Sequence, residues 1–243
     1  MSKAEDERNR QAGSFGVVAD AYERGRPPYP TDAVTWLVPV GARTVVDLGA
    51  GTGKLTRALR RPGRKVVAVE PSAEMRAQFA RVLPEVPLLP GTAESIPLPD
   101  TSADALVCAQ AWHWVDPERA VAEAARVLRP GGWLGLVWND RDVSEPWVAE
   151  LDQILRGYAE APTEDRQADR LGRPFEPVQS RDFRWKHLMT PGQILDMVAS
   201  RSYVITLKPE TREELLGRVR ALLDAKHPVE MPYVTKCYRA RLS

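Results

Sequence analysis

Four short apolar runs stand out in the first half of the chain: Thr44-Val45-Val46-Asp47-Leu48, Lys65-Val66-Val67-Ala68-Val69, Asp104-Ala105-Leu106-Val107-Cys108 and Trp133-Leu134-Gly135-Leu136-Val137-Trp138. They are continuous rather than alternating, as expected for strands buried on both faces of a parallel sheet. Helical stretches separate them, over Lys54 to Arg61, Ala73 to Val82 and Pro117 to Leu128. The last carries Ala120, Val121, Ala124, Ala125 and Leu128 at helical spacing, with Pro117 in its first turn and Pro130-Gly131-Gly132 as its expected stop. This alternation predicts right-handed βαβ units and a doubly wound α/β sheet. The second half predicts helices over Glu145 to Tyr158, Gln193 to Ala199 and Arg212 to Ala225, and strands over Arg184 to Met189 and Tyr233 to Arg239. Ala161 to Ser180 is polar and reads as a long loop. The segments near 140–180 and 190–230 are expected to cover one end of the sheet.

Composition narrows the class. With 243 residues, 43% hydrophobic and 28% charged, the chain has material for one large α/β domain with an inserted cap. Lys and Arg number 34 against 33 Asp and Glu, a net charge of +1, so a strongly basic nucleic-acid-binding field is disfavoured. Cys108 and Cys237 form neither a metal-type pair nor a disulfide framework, which fits a reducing cytoplasm. No run approaches the length of a membrane span. The N-terminal MSKAEDERNRQAG, charged in both signs, is expected to be a flexible tail over residues 1–14 and not a signal peptide.

The most informative stretch is Val45-Val46-Asp47-Leu48-Gly49-Ala50-Gly51-Thr52-Gly53-Lys54-Leu55-Thr56. A buried strand runs into three glycines and then a helix, which suits close approach of a ligand beyond the carboxyl ends of the strands. A Walker loop fails, because Leu48 stands where its first glycine is needed and Leu55 follows Lys54. A dinucleotide fingerprint fails at its third glycine, where Lys54 stands. Asp47 would also repel a pyrophosphate, by about 4 kcal/mol at an effective dielectric of about 20. A cofactor without phosphates, S-adenosylmethionine, is favoured instead: Asp47 then offsets its cationic end or fixes the loop amides.

With that loop the chain resembles class I S-adenosylmethionine-dependent methyltransferases, in the type 11 branch that includes ubiquinone-biosynthesis C-methyltransferases and trans-aconitate methyltransferases. The resemblance is carried also by Glu70-Pro71-Ser72, Gly91-Thr92-Ala93-Glu94, Cys108 to Trp114, Arg129-Pro130-Gly131-Gly132 as a helix-to-strand turn, and Phe15 to Pro30. It implies one domain over 15–243 with a mostly parallel, seven-stranded Rossmann-like sheet, an antiparallel last strand and a helical substrate cap. It implies transfer of a methyl group from S-adenosylmethionine to a small-molecule acceptor by in-line displacement, releasing S-adenosylhomocysteine. No metal and no nucleic acid are expected, and either a monomer or a homodimer is compatible. The alternative is a non-catalytic S-adenosylmethionine-binding regulatory protein of the same fold.

Site residues follow. Asp47, Gly49, Ala50, Gly51, Thr52 and Gly53 cradle the cofactor. Glu70, with Pro71, suits the ribose diol, since a carboxylate accepts from two hydroxyls. Met75 lies against the adenine or in the core. Thr92 stands where many relatives place an acid for the adenine amino group, leaving Ala93 and Glu94 as substitutes. Gln110 and Ala111 lie near the methionine portion, which Tyr22 and Arg26 cap, Arg26 by pairing its carboxylate. Trp112 and Trp114 offer flat walls for a sulfonium or an organic acceptor, at least one of them being core. His113 is the candidate acid–base residue, or else an indole-flanked structural one. Tyr203 and Tyr233 are candidate acceptor-pocket residues. His187 and His227 read as ordinary surface or cap residues.

Overall fold

The computed structural model describes residues 19–158, 171–224 and 228–243. The expected tail over 1–14, Phe15 to Val18, the expected loop as far as Arg170, Ala225 and His227 therefore lie outside the described residues.

Seven strands form one sheet: β1 Thr44–Leu48, β2 Lys65–Val69, β3 Leu88–Leu89, β4 Ala103–Ala109, β5 Leu128–Arg141, β6 Gln179–Met189 and β7 Val229–Arg241. Their order is β3-β2-β1-β4-β5-β7-β6. β1 pairs in parallel with β2 and β4, β2 with β3, and β4 with β5. β7 runs antiparallel to β5: Leu242 N donates to Gly132 O at 2.8 Å, and Asp142 N to Pro232 O at 2.9 Å, so one chain rises as the other falls. The expected Rossmann-like sheet with an antiparallel last strand is thus observed.

The helices are α1 Ala19–Gly25, α2 Thr31–Leu37, α3 Lys54–Leu59, α4 Ala73–Val82, α5 Pro117–Val127, α6 Pro146–Arg156, α7 Pro191–Ala199, α8 Ser202–Ile205 and α9 Pro209–Leu223. Their starts are written in the sequence. Ser72 Oγ accepts from Met75 N, Asp116 accepts from Glu118 N and Arg119 N ahead of Pro117, and Thr190 forms a capping box with Gln193. None of the described helices is long and apolar enough to cross a membrane.

The chain divides into two compact units. The described residues of the larger fall within Pro28–Asn139, Glu164–Phe183 and Thr235–Ser243. Its strands bury both faces, because alternate residues of β1 point opposite ways. Val46 and Leu48 pack with Ala120, Ala124 and Val127 of α5, whereas Val45 packs with Ala33 and Leu37 of α2 and Leu55 and Leu59 of α3. The second unit, whose described residues fall within Met1–Pro27, Asp140–Thr163 and Arg184–Val234, is mainly helical. Its core joins Val148 and Leu151 of α6, Ile194 and Val198 of α7, and Leu215 and Val219 of α9 with Met231 and Tyr233 of β7.

α5 ends at Val127 with Leu128 as its cap, so the expected stop ahead of Pro130 holds, since the proline ring would clash with the Arg126 carbonyl one turn back. Three expectations need correction: the turn after α5, β6 and the end of β4. Residues Arg129 to Gly132 are instead an irregularity inside β5, where Leu128 pairs with Ala103 and Trp133 already pairs with Ala105. β6 begins at Gln179, within the expected loop; from Phe183 its burial alternates through Trp185, His187 and Met189 around exposed Arg184, Lys186 and Leu188, as suits a sheet edge. Trp112–Trp114 is a 3₁₀ turn after β4 rather than the end of that strand.

Candidate functional site

The order of strands reverses at β1: β2 lies on one side of it and β4 on the other. In an open α/β sheet the crevice at such a switch point receives the ligand. The loops leaving β1 and β4 converge there.

After β1 the chain turns through Gly49, Gly51 and Gly53, with φ of +66°, +56° and +91°. Side chains rarely tolerate that region, and each glycine meets a different demand. A Cβ on Gly49 would stand 3.1 Å from the Ala111 Cβ, so the two loops touch. A Cβ on Gly51 would meet nothing within 4 Å, so this part of the loop faces open space. A Cβ on Gly53 would stand 2.6 Å from Leu83 Cδ1 and 2.9 Å from Phe79 Cε2, so this glycine lets the start of α3 pack close to α4. The loop is fastened to β2 by its amides. Gly49 N and Ala50 N donate to Val69 O at 2.8 and 3.1 Å, and Gly51 N donates to Glu70 Oε2 at 2.8 Å.

Two carboxyl groups flank this loop. Asp47 is fully buried. Its Oδ2 accepts from Thr56 Oγ1 at 2.6 Å, while Oδ1 is buried and accepts no hydrogen bond among the described residues. Burial pushes its pKa up to about 7, the Thr56 hydroxyl opposes that rise, and the nearby Glu70 adds to it. Asp47 therefore ties β1 to α3, and the loop amides belong to Val69 and Glu70. Glu70, also buried, accepts from Ser72 N through Oε1 at 2.8 Å. Burial raises its pKa, while the two amides and Arg76 act the other way. Arg76 Nη1 donates to the carbonyls of Glu70 and Pro71, at 2.9 and 2.7 Å. Thr52 and Met75 are buried.

The remaining candidates of this unit follow β3 and β4. Thr92 is exposed and bridges to Ser95, Ala93 packs into the core, and Glu94 Oε1 accepts from Asp116 N at 2.8 Å, anchoring the start of α5. Gln110 stands at φ +59°, one of two described non-glycine residues with positive φ. Such a conformation costs about 1–3 kcal/mol and persists only where its surroundings hold it. Gln110 N donates to Val137 O at 2.9 Å, and Nε2 lies 3.4 Å from Asn139 O. This places the strained backbone beside Ala111, where the β1 loop makes its contact. Trp112 is the core indole of the pair, 1% exposed. His113 and Trp114 are half-buried, with ring centroids 4.5 Å apart, and both ring nitrogens of His113 are buried.

Tyr22, Arg26, Tyr203 and Tyr233 all belong to the helical unit. There the Arg26 guanidinium lies over the Tyr22 ring at 5.1 Å. Arg26 Nη2 also donates to Ser200 O at 3.4 Å. Arg201 lies over the Tyr203 ring at 5.9 Å, and Tyr233 stacks on Trp185. Sequence reasoning missed Thr56, the bond from Gly51 to Glu70, and the backbone of Gln110. Only the helical spacing that carries Thr56 back beneath β1 was available as a signal for the first.

The geometry agrees with relatives. Residues 46–136 match the methyltransferase domain family. An uncharacterized methyltransferase of Mycobacterium tuberculosis is 52% identical, over 95% of this chain and 96% of its own length. A solved structure described as a type II methyltransferase from Anaeromyxobacter dehalogenans superposes with a TM-score of 0.66 at 25% identity, covering 89% of this chain and 98% of that one. The [4+2]-cyclase SpnF, at 21% identity and a TM-score of 0.55, shares the fold over 89% of this chain and 83% of its own.

Proposed function

The chain belongs to the class I S-adenosylmethionine-dependent methyltransferase family, and on that premise we propose that it transfers a methyl group to a small-molecule acceptor by in-line displacement. The observation that carries the reading is the loop itself: three glycines of positive φ, one facing open space, fastened to the carboxylate that ends β2. The residues fit the cofactor. Asp47 keeps an unused buried oxygen suited to an ammonium, and each Glu70 oxygen, already accepting one amide, retains a lone pair for a ribose hydroxyl. S-adenosylmethionine supplies an activated methyl group on its sulfonium, so the protein's task is placement. Gly49 to Gly53 admit close approach, Glu70 fixes the ribose end, and Gln110 and Ala111 border the methionine portion. Holding acceptor and methyl in line contributes on the order of 7–11 kcal/mol. His113 takes the acceptor's proton where the acceptor atom carries one.

SpnF is named for a cyclisation, so the fold alone does not decide the chemistry. Calorimetry with S-adenosylhomocysteine and with NAD tests the ligand; production of S-adenosylhomocysteine across a panel of carboxylate, phenol and amine acceptors tests turnover. Tight NAD binding without S-adenosylhomocysteine binding would falsify the reading. Cofactor binding without turnover on any acceptor would leave the non-catalytic alternative.

A further inference from the structure

The helical unit holds a concentration of guanidinium charge that the cofactor reading does not use. The bond from Asp142 N to Pro232 O fixes the antiparallel register there and sets Arg141 opposite Tyr233, on the same face of the two strands. Tyr233 is 2% exposed, with its ring stacked on Trp185 at 5.4 Å. Among the described residues its hydroxyl reaches only thioethers, Met197 Sδ at 3.4 Å and Met189 Sδ at 3.8 Å, which are weak acceptors. Met197 lies in the last turn of α7, and Arg201 follows two residues after that helix ends.

Among the described residues the charges around this hydroxyl do not balance. Arg141, with its side chain 10% exposed, pairs through Nη2 with Asp152 at 2.7 Å. The other oxygen of Asp152 is taken by Arg156 at 2.6 Å. Nε of Arg141 and Nε of Arg201 are both buried and make no hydrogen bond among the described residues. Burial holds the Arg141 pKa down, to about 10, and the charge of Arg201 lowers it further. Tyr233 feels Arg141, Arg26 and Arg201 together. A buried guanidinium is expensive unless paired and hydrogen-bonded, and guanidinium forks match planar oxyanions.

We propose that Arg141 and Arg201, with the Tyr233 hydroxyl, form a binding site for a small oxyanion: the carboxylate of an organic acid or a phosphate group. The anion accepts from the two unused Nε–H groups and from the phenol, and it neutralises the repulsion between the guanidiniums. The site stands whether or not the bound molecule is methylated.

The test titrates tricarballylate and inorganic phosphate, at constant ionic strength, into protein saturated with S-adenosylhomocysteine. Binding is read by calorimetry and melting temperature for the parent, Arg141→Gln and Arg201→Gln. Saturable binding to the parent, weakened roughly tenfold or more in each folded variant while S-adenosylhomocysteine affinity holds, supports the site. The anion that binds identifies carboxylate or phosphate. Arg201→Gln decides the matter if Arg141→Gln fails to fold. Equal stabilisation of parent and variants marks a general salt effect and overturns the proposal; so does no binding of either anion. Anion binding that disappears on saturation with S-adenosylhomocysteine, with cofactor affinity lost in the variants, overturns it too, by showing that the cofactor's own carboxylate occupies the site. A parent that does not bind S-adenosylhomocysteine sinks the cofactor reading, and the same titration of the unliganded protein still decides the anion site.

Discussion

Glu70 at the end of β2 accepts a hydrogen bond from the Gly51 amide at 2.8 Å, so the carboxylate expected to meet a ribose also holds the glycine loop in place. Its other oxygen is held by Ser72 N at the start of α4. One side chain thus joins the loop after β1, the end of β2 and the cap of the next helix.

This double role changes what Glu70→Ala is expected to do. Each hydrogen bond to a charged group contributes about 1.5–3 kcal/mol, and both amide bonds go with the ribose contacts. S-adenosylhomocysteine binding should weaken by roughly a hundredfold or more. Exchange of the Gly51 amide proton, followed by NMR, should accelerate in the unliganded variant. A 2′,3′-dideoxy analogue should lose less than the parent ligand; equal losses would assign Glu70 wholly to the loop.

Gly51 and Gly53 should separate binding from folding. Gly51→Val places a β-branched residue at φ +56° with its Cβ in open space, so it should abolish S-adenosylhomocysteine binding at a stability cost of about 1–2 kcal/mol. Gly53→Val drives its Cβ into Leu83 and Phe79, adding about 1–3 kcal/mol of overpacking to the backbone strain. Denaturant melts should rank Gly53→Val well below Gly51→Val. Parent-like affinity in Gly51→Val would remove the loop from the site.

Asp47 sets a pH dependence. Its folded pKa, about 7, lies above the ordinary 3.8, so the folded state holds this proton more tightly than the unfolded state does. Its stabilising contribution is complete below about pH 3.8 and is lost as the pH rises through about 7. A cofactor ammonium favours the ionised form. Binding near pH 7 should therefore release a proton, and affinity should rise between about pH 6 and pH 8. Calorimetry in buffers of different ionisation enthalpy measures the release. Asp47→Asn should abolish it; release that persists unchanged in that variant would assign the proton elsewhere.

His113→Ala should lower kcat by about 10²–10⁴ for an acceptor that must lose a proton, with S-adenosylmethionine affinity nearly unchanged. For a carboxylate acceptor the loss should be small and fall on the acceptor KM. Parent values of both constants would leave His113 as a ring packed against Trp114.

The sheet was legible because β1, β2 and β4 are continuous β-branched and aliphatic runs, and because Ser72, Asp116 and Pro117 announce their helices. Leu88–Leu89 was not, since two residues carry no period and pair only because β2 offers an edge. Helix α8, four residues long, is likewise too short to show a period. Among the candidate site residues, Gly49, Gly51, Gly53, Asp47 and Glu70 could be proposed from spacing alone, whereas the hydrogen-bond partners of the two acids could not. Thr56 meets Asp47 through the packing of α3, and Glu94 meets Asp116 N through a loop closure. The facing of Arg141 and Tyr233 depends on the register of strands far apart in the sequence, which no local pattern encodes.

The helical unit is not a contiguous insertion. The chain passes between the two units inside β5 at Asn139–Asp140, inside β6 at Phe183–Arg184 and inside β7 at Val234–Thr235. This unit cannot be exchanged as a single cassette: every graft must rejoin several strands in register at once. Long-range strand pairing must also form before the unit's core can close, so refolding should be slow for a chain of this size.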